Sequence, residues 1–301
     1  MYNIVNYQLW GFYGVLDGEF EFIEIGATMP AIHWYPGHMA KAKRELGELI
    51  KCLDLLIEVR DARIPLASHN RDLEPLLSRR PNLVVLNKTD LAEAAVNQAW
   101  DTWFARQGLP VVGVNSRTGQ GVKLLWRELD KRRNASTLKR AWRVGVVGIP
   151  NVGKSSLLNR LLGAGAAATG NRPGVTRGKQ WIKRGAIEVL DTPGLLPPKI
   201  TDRESGVKLA LIGSVGEELL PVDDLALELL ARYGERLFDW SKQGTLIETP
   251  ESGLEWYARK RAFLMKGGEL DLNRATHTLL QEFRNGRLGR LSLENPVKDG
   301  D

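Results

Sequence analysis

Apolar residues in this chain fall into short runs, each separated from the next by a stretch with helical spacing. Leu55-Leu56-Ile57-Glu58-Val59, Leu83-Val84-Val85-Leu86, Pro110 to Val114, Arg143-Val144-Gly145-Val146-Val147 and Ile187-Glu188-Val189-Leu190 read as strands, with another near Gln180 to Lys183. Runs this short and this apolar suit strands buried on both faces. Lys41 to Leu53, Ala92 to Gln107, Gly121 to Arg133 and Ser155 to Leu162 read as helices; Leu46, Leu49, Ile50 and Leu53 set the spacing in the first. Strands alternating with helices predict an α/β fold with a mostly parallel sheet covered on both sides. Pro197-Pro198 marks a break, and from about Ser205 the spacing is helical with no strand signal. The expected organisation is an uncertain extension over 1–28, an α/β domain over 29–204 and an all-α domain over 205–301.

Composition narrows this only a little. The 301 residues are 43% hydrophobic and 26% charged, ordinary for a globular protein. No apolar run approaches the ~20 residues of a membrane-spanning helix, so no membrane partner is expected. The net charge of +6 is compatible with an anionic partner such as RNA but is too small to decide the matter. Cys52 is the single cysteine, so no intrachain disulfide forms. Its apolar surroundings read as burial, and a reducing compartment fits. The first 28 residues are aromatic and acidic and suit neither a secretory signal nor a transit peptide. The expectation is that Met29 is the start; the alternative is a short strand pair packed on the domain.

The chemistry lies in three loops, each following a strand. Gly148-Ile149-Pro150-Asn151-Val152-Gly153-Lys154-Ser155 matches the phosphate-binding pattern G-x-x-x-x-G-K-[ST], in the strand–loop–helix context that the pattern requires. Glycines let the backbone wrap phosphates, and the helix start offers unpaired N–H groups. Asn151, Val152, Gly153, Lys154, Ser155 and Ser156 are the expected phosphate-binding residues, with Lys154 neutralising the β- and γ-phosphates and Ser155 ligating Mg²⁺. Asp191-Thr192-Pro193-Gly194 follows the last strand. Asp191 is expected to hold the metal and Gly194 to meet the γ-phosphate. Thr176 lies between the two motifs and is the expected switch threonine and third metal ligand.

Asn87-Lys88-Thr89-Asp90 is a guanine signature. The Asp90 carboxylate can accept from both N1–H and the 2-amino group of guanine, a donor pair that adenine lacks. Asn87 would brace the loop and the Lys88 stem would lie along the base. Asn115-Ser116-Arg117 sits where GTPases use a short Ser-Ala-type loop to meet the base. Arg117 departs from the usual Ala, so a backbone contact near Ser116 is the expectation there.

The base motifs precede the phosphate motifs, the reverse of ordinary GTPases. In this order Pro36-Gly37-His38-Met39, Asp61-Ala62-Arg63-Ile64-Pro65, Asn87 to Asp90, Gly148 to Ser155 and Asp191 to Gly194 resemble the circularly permuted ribosome biogenesis GTPase A family, over about His33 to Glu294. The fold class expected is therefore a P-loop GTPase fold with circularly permuted motif order, plus a C-terminal all-α domain. The resemblance implies GTP hydrolysis, which is expected to be slow alone and activated by the ribosomal particle. It also implies binding to a large ribosomal subunit precursor and its rRNA through an RNA-binding-type helical domain; a monomeric, cytoplasmic protein is expected. Arg259, Lys260, Arg261, Lys266, Arg274, Arg284, Arg287 and Arg290 cluster in that last stretch, as phosphate binding requires; Arg284, Arg287 and Arg290 are the expected RNA contacts. Leu195 and Leu196 occupy the place where many GTPases carry a water-orienting Gln. The resemblance supplies His38 instead as the catalytic group; its Gly-Pro-flanked segment can be mobile and could be ordered by a partner. Asn151 resembles the residue of GTPases that bind K⁺ beside the phosphates. The competing reading is a GTP-gated protein-binding switch without RNA contact.

Overall fold

The computed structural model describes residues 15–16, 19–20, 36–163, 181–192, 194, 196, 200, 202–216 and 220–296. Val15–Leu16 (β1) and Glu19–Phe20 (β2) pair antiparallel. A helix over Pro36–Ile50 (α1) leads into the first long strand, Leu55–Asp61 (β3). The helix starts five residues earlier than its apolar spacing suggests. Proline suits the first helical position, where an N–H has no partner in any case. Cys52 is exposed, contrary to expectation, because it stands in the turn after α1 while its apolar neighbours enter the core.

Five further strands follow: Asn82–Asn87 (β4), Val111–Val114 (β5), Trp142–Val147 (β6), Trp181–Arg184 (β7) and Ile187–Asp191 (β8). They assemble in the order β5-β4-β3-β6-β8-β7, with β7 alone antiparallel to its neighbour. Helices Ala94–Arg106 (α3), Val122–Asn134 (α4) and Lys154–Leu162 (α5) cover the sheet, and a short helix over Glu74–Leu77 (α2) follows β3. Alternate residues of β4 face opposite ways. Leu83 and Val85 join the main core, whereas Val84 and Leu86 pack with Ala92, Trp100 and Phe104. Burial on both faces is what an unbroken apolar strand encodes.

Chain order along the sheet reverses between β3 and β6. From β3 the chain winds outward through β4 and β5, then returns to place β6 on the other side of β3. A reversal of this kind opens a crevice at the carboxyl ends of the strands, where ligands bind in open α/β sheets.

Four helices complete the described chain: Arg203–Leu211 (α6), Val222–Phe238 (α7), Pro250–Lys260 (α8) and Leu272–Arg284 (α9). Their starts are locally encoded. Asp202 accepts from Ser205 N, Asp271 accepts from Arg274 N, and Thr249 and Ser252 cap each other reciprocally around Pro250. Their apolar faces (Leu225, Leu229, Tyr257, Leu279) belong to the same contiguous core as β3, β6 and α5. Among the described residues no helix is long and apolar enough to cross a membrane.

Candidate guanine-nucleotide site

The phosphate loop leaves β6 at Gly148 and ends on the first turn of α5. Gly148 has φ +147°, and a Cβ there would lie 2.4 Å from the carbonyl oxygen of Val59 on β3. Gly153, at φ +93°, would put a Cβ 2.3 Å from Asn87 Nδ2. Both positions therefore require glycine. Asn151 is left-handed at φ +61°, a conformation that Asn tolerates better than most residues. Lys154 is buried and donates to the carbonyl of Ile149 at 2.8 Å, so its ammonium lies within the loop. Ser155 is half-buried in the first turn of α5 and Ser156 is exposed.

The Asp191 motif closes onto this loop. Asp191 is the last residue of β8, level with Val146 of β6, and the Thr192 hydroxyl donates to Val146 O at 2.6 Å. A Cβ on Gly194 would lie 2.8 Å from Lys154 Nζ and 3.1 Å from Pro150 N, so this glycine stands directly over the phosphate loop. Ser155 and Asp191 offer hard oxygen donors of the kind Mg²⁺ takes, from a helix start and a strand end that flank the same loop. The Asp191 side chain, Thr176 and the His38 side chain lie outside the described residues. The backbone places His38 in the first turn of α1.

The base motif is tied to the phosphate loop by its own first two residues. Asn87 donates through Nδ2 to Val152 O at 2.8 Å and accepts, on Oδ1, from the Ser116 N–H and hydroxyl at 3.1 and 2.7 Å. One buried amide thus joins three loops. Lys88, left-handed at φ +61°, sends Nζ to Asn151 O at 2.6 Å and to Asp61 Oδ2 at 2.9 Å. Ser116 spends both its N–H and its hydroxyl on Asn87, and the Arg117 N–H goes to Asn115 Oδ1 at 2.9 Å. Ser116 is placed as a brace. Arg160 of α5 donates to Ser116 O at 3.1 Å and to the Arg117 carbonyl, fastening this loop to the phosphate helix.

Asp61 and Arg63 carried no assigned chemistry in the sequence; they entered only as part of a family-like stretch. Asp61 is fully buried and accepts from Arg63 Nε at 3.0 Å and Nη2 at 2.9 Å, from the Arg63 N–H at 3.1 Å, and from Lys88. Burial by itself would raise the Asp61 pKa, but the charges and hydrogen bonds of Arg63 and Lys88 outweigh it and hold the carboxyl well below the usual range. Burial draws the Lys88 pKa down, and Asp61 only partly restores it. The available signal was an Asp-x-Arg pair at the end of a largely apolar strand, where mutual pairing is what permits burial.

The helical segment touches both motifs. Asn151 Nδ2 donates to Gly213 O, and the Ser214 hydroxyl donates to Pro150 O at 2.7 Å. At the other end, Leu291 N bonds Leu91 O and Leu293 N bonds Arg63 O, each at 2.9 Å, while Glu294 accepts from Leu66 N at 2.7 Å and Ala67 N at 3.1 Å. The three arginines expected to meet RNA are not equivalent. Arg284 donates to Leu211 O at 3.1 Å and Ala210 O at 2.9 Å, capping the end of α6 from a half-buried position. Arg287 and Arg290 are exposed, and Arg290 lines a cleft with Asp90 and Asp101.

A strand–loop–helix phosphate cradle, a guanine-type loop bonded to it and a permuted chain order define this protein as a P-loop GTPase with circularly permuted motifs and a C-terminal helical region. Residues 143–236 match the family of 50S ribosome-binding GTPases. Ribosome biogenesis GTPase A of Bacillus licheniformis is 40% identical over 281 residues, covering 88% of this chain and 98% of that protein. The GNP-bound crystal structure of YlqF from Thermotoga maritima superposes with a TM-score of 0.66 at 31% identity, covering 86% of this chain and 99% of that one. The GDP-bound structure of the same protein gives 0.65 at 30%, covering 84% and 99%. The chain belongs to the ribosome biogenesis GTPase A family.

Proposed function

We propose that this GTPase binds GTP–Mg²⁺ at the crevice between β3 and β6 and uses the state of the nucleotide to time a late step on a large ribosomal subunit precursor. The observation that carries the reading is the pair of bonds from Asn87 and Lys88 to Val152 and Asn151, which make the base and phosphate loops one site. Asp90 accepts the N1–H and 2-amino group of guanine. The N–H groups from Asn151 to Ser156 and the Lys154 ammonium take the phosphates. Mg²⁺ would supply charge neutralisation at the phosphates, and Ser155, Asp191 and Thr176 are the residues that would hold it. The side-chain oxygen of Asn151 is the atom it would offer to K⁺, since its amide nitrogen is a donor already given to Gly213. His38 orients the attacking water in place of a Gln after Gly194.

The particle contact falls to the helical region, which carries the ribosomal role implied by the relatives' names. Arg259, Lys260, Lys266, Arg274 and Arg287 are exposed there, with Lys260 over Trp256 and Arg274 over Phe263 at 4.5 Å each. Cations interleaved with aromatic faces suit phosphate and base contact together. Arg284 is better explained as the cap of α6. The test is sedimentation of the full chain with large-subunit precursors over a salt series. The expected result is binding that falls steeply with salt. Association that ignores salt and leaves rRNA uncrosslinked would favour the protein-binding switch.

A further inference from the structure

Asp90 already has a partner of a telling kind. Arg117 Nη2 lies 3.1 Å from Asp90 Oδ2, with the Arg117 side chain 80% exposed and that of Asp90 18% exposed. Lys88, next but one to Asp90, turns instead to Asp61 and Asn151. The backbone on either side of this carboxylate is fixed. Thr89 O accepts from Asn97 Nδ2 at 3.0 Å, Thr89 N reaches Val114 O, and Leu91 O accepts from Leu291 N. The backbone of Arg117 is pinned as well, by Asn115 on its N–H side and Arg160 on its carbonyl. The side chain of Arg117 is therefore an adjustable partner bonded directly to the base carboxylate.

The chemistry of the pair matches that of the ligand. Guanine presents N1–H and the 2-amino group on either side of C2, which is an N–C–N donor edge. A guanidinium presents the same planar edge with a positive charge added. When guanine takes both oxygens of Asp90, one of its donors meets Arg117 at Oδ2.

We infer that Arg117 is an internal mimic of guanine that competes for Asp90, weakening guanine-nucleotide affinity and hastening nucleotide release. This rests on the reading of Asp90 as the base carboxylate. An exposed ion pair is weak enough to be displaced, so the competition tunes affinity and does not block the site. The pair is also screened by salt, and its loss tightens binding, whereas loss of a direct Arg117–nucleotide contact would weaken it.

The experiment titrates a fluorescent GDP analogue into the full-length protein at low and high ionic strength, with dissociation rates measured by chase. Arg117→Ala should bind about two- to fivefold tighter at low salt and release more slowly, and the gap to the parent should close as salt rises. In an Asp90→Asn background the same substitution should change nothing. Equal or weaker binding by Arg117→Ala, while Asp90→Asn shifts preference from guanine to xanthine nucleotides, would overturn the competition and leave the base site standing. An Asp90→Asn protein that keeps its guanine preference would overturn the base-site reading and the competition with it.

Discussion

Replacing Asp61 by Asn removes the negative charge that pairs with Arg63 and Lys88 beneath the base loop. The side chains of Asp61 and Arg63 are 0% and 1% exposed, and Lys88 is 24% exposed. The substitution leaves one buried guanidinium and one half-buried ammonium without their anion. Breaking a buried pair costs about 3–5 kcal/mol. The amide oxygen of Asn keeps one acceptor, so about 3 kcal/mol is expected, against a total stability of about 5–15 kcal/mol. With a urea m-value of about 2–3 kcal/mol/M, the unfolding midpoint should fall by about 1 M. Function should move too. Lys88 keeps its bond to Asn151 but loses its charged anchor, so GTP affinity should fall on the order of tenfold.

Acid dependence gives a further check on Asp61. Its pKa is depressed in the folded protein, so its stabilisation is complete above the unfolded carboxylate value of ~4 and is lost as pH falls toward the folded value. The difference between parent and Asp61→Asn should therefore be full at neutral pH and shrink below about pH 4. The assay is urea unfolding followed by tryptophan fluorescence, with Trp100 buried as a reporter. A midpoint shift under about 0.3 M at neutral pH would refute the assignment of Asp61 as the buried anchor of the base loop.

Gly153→Ala should lose at least about tenfold in GTP affinity and some stability, because its Cβ would displace Asn87 Nδ2 from Val152; unchanged binding by calorimetry would detach Asn87 from the phosphate loop. Arg284→Ala should lower stability by about 1–3 kcal/mol through its two bonds to α6, whereas Arg287→Ala should leave the urea midpoint in place and reduce the salt slope of particle binding by roughly one unit. The opposite pattern would return Arg284 to the RNA face. His38→Ala should bind GTP almost normally and lose about 10²–10⁴ of particle-stimulated hydrolysis, with His33→Ala as the control. Equal single-turnover rates for parent and His38→Ala would remove His38 from the mechanism.

The sheet was legible because each of its long strands is an apolar run too short for a helix and flanked by a loop motif. The phosphate and base motifs were legible because their chemistry demands particular residue types at fixed spacing. What joins them was not. Asn87 bonding Val152 and Ser116, and Asp61 bonding Lys88, are contacts between residues distant in the chain, and no local pattern encodes them. Arg284 shows the same limit from the other side. In sequence it belongs to a basic cluster, and only the packing of α9 beside the end of α6 turns it into a cap. Cys52 was misjudged because an apolar neighbourhood does not reveal that the chain turns at that residue.

Nucleotide-dependent partition onto the precursor particle tests the central claim most directly. The full chain, mixed with purified large-subunit precursors, is sedimented with a non-hydrolysable GTP analogue, with GDP, and without nucleotide, and Lys154→Ala serves as the variant unable to read the phosphates. The predicted result is that the parent pellets with particles in the analogue, stays in the supernatant with GDP, and that Lys154→Ala shows no difference between the two. Equal partition of the parent in analogue and GDP would contradict a nucleotide-timed cycle.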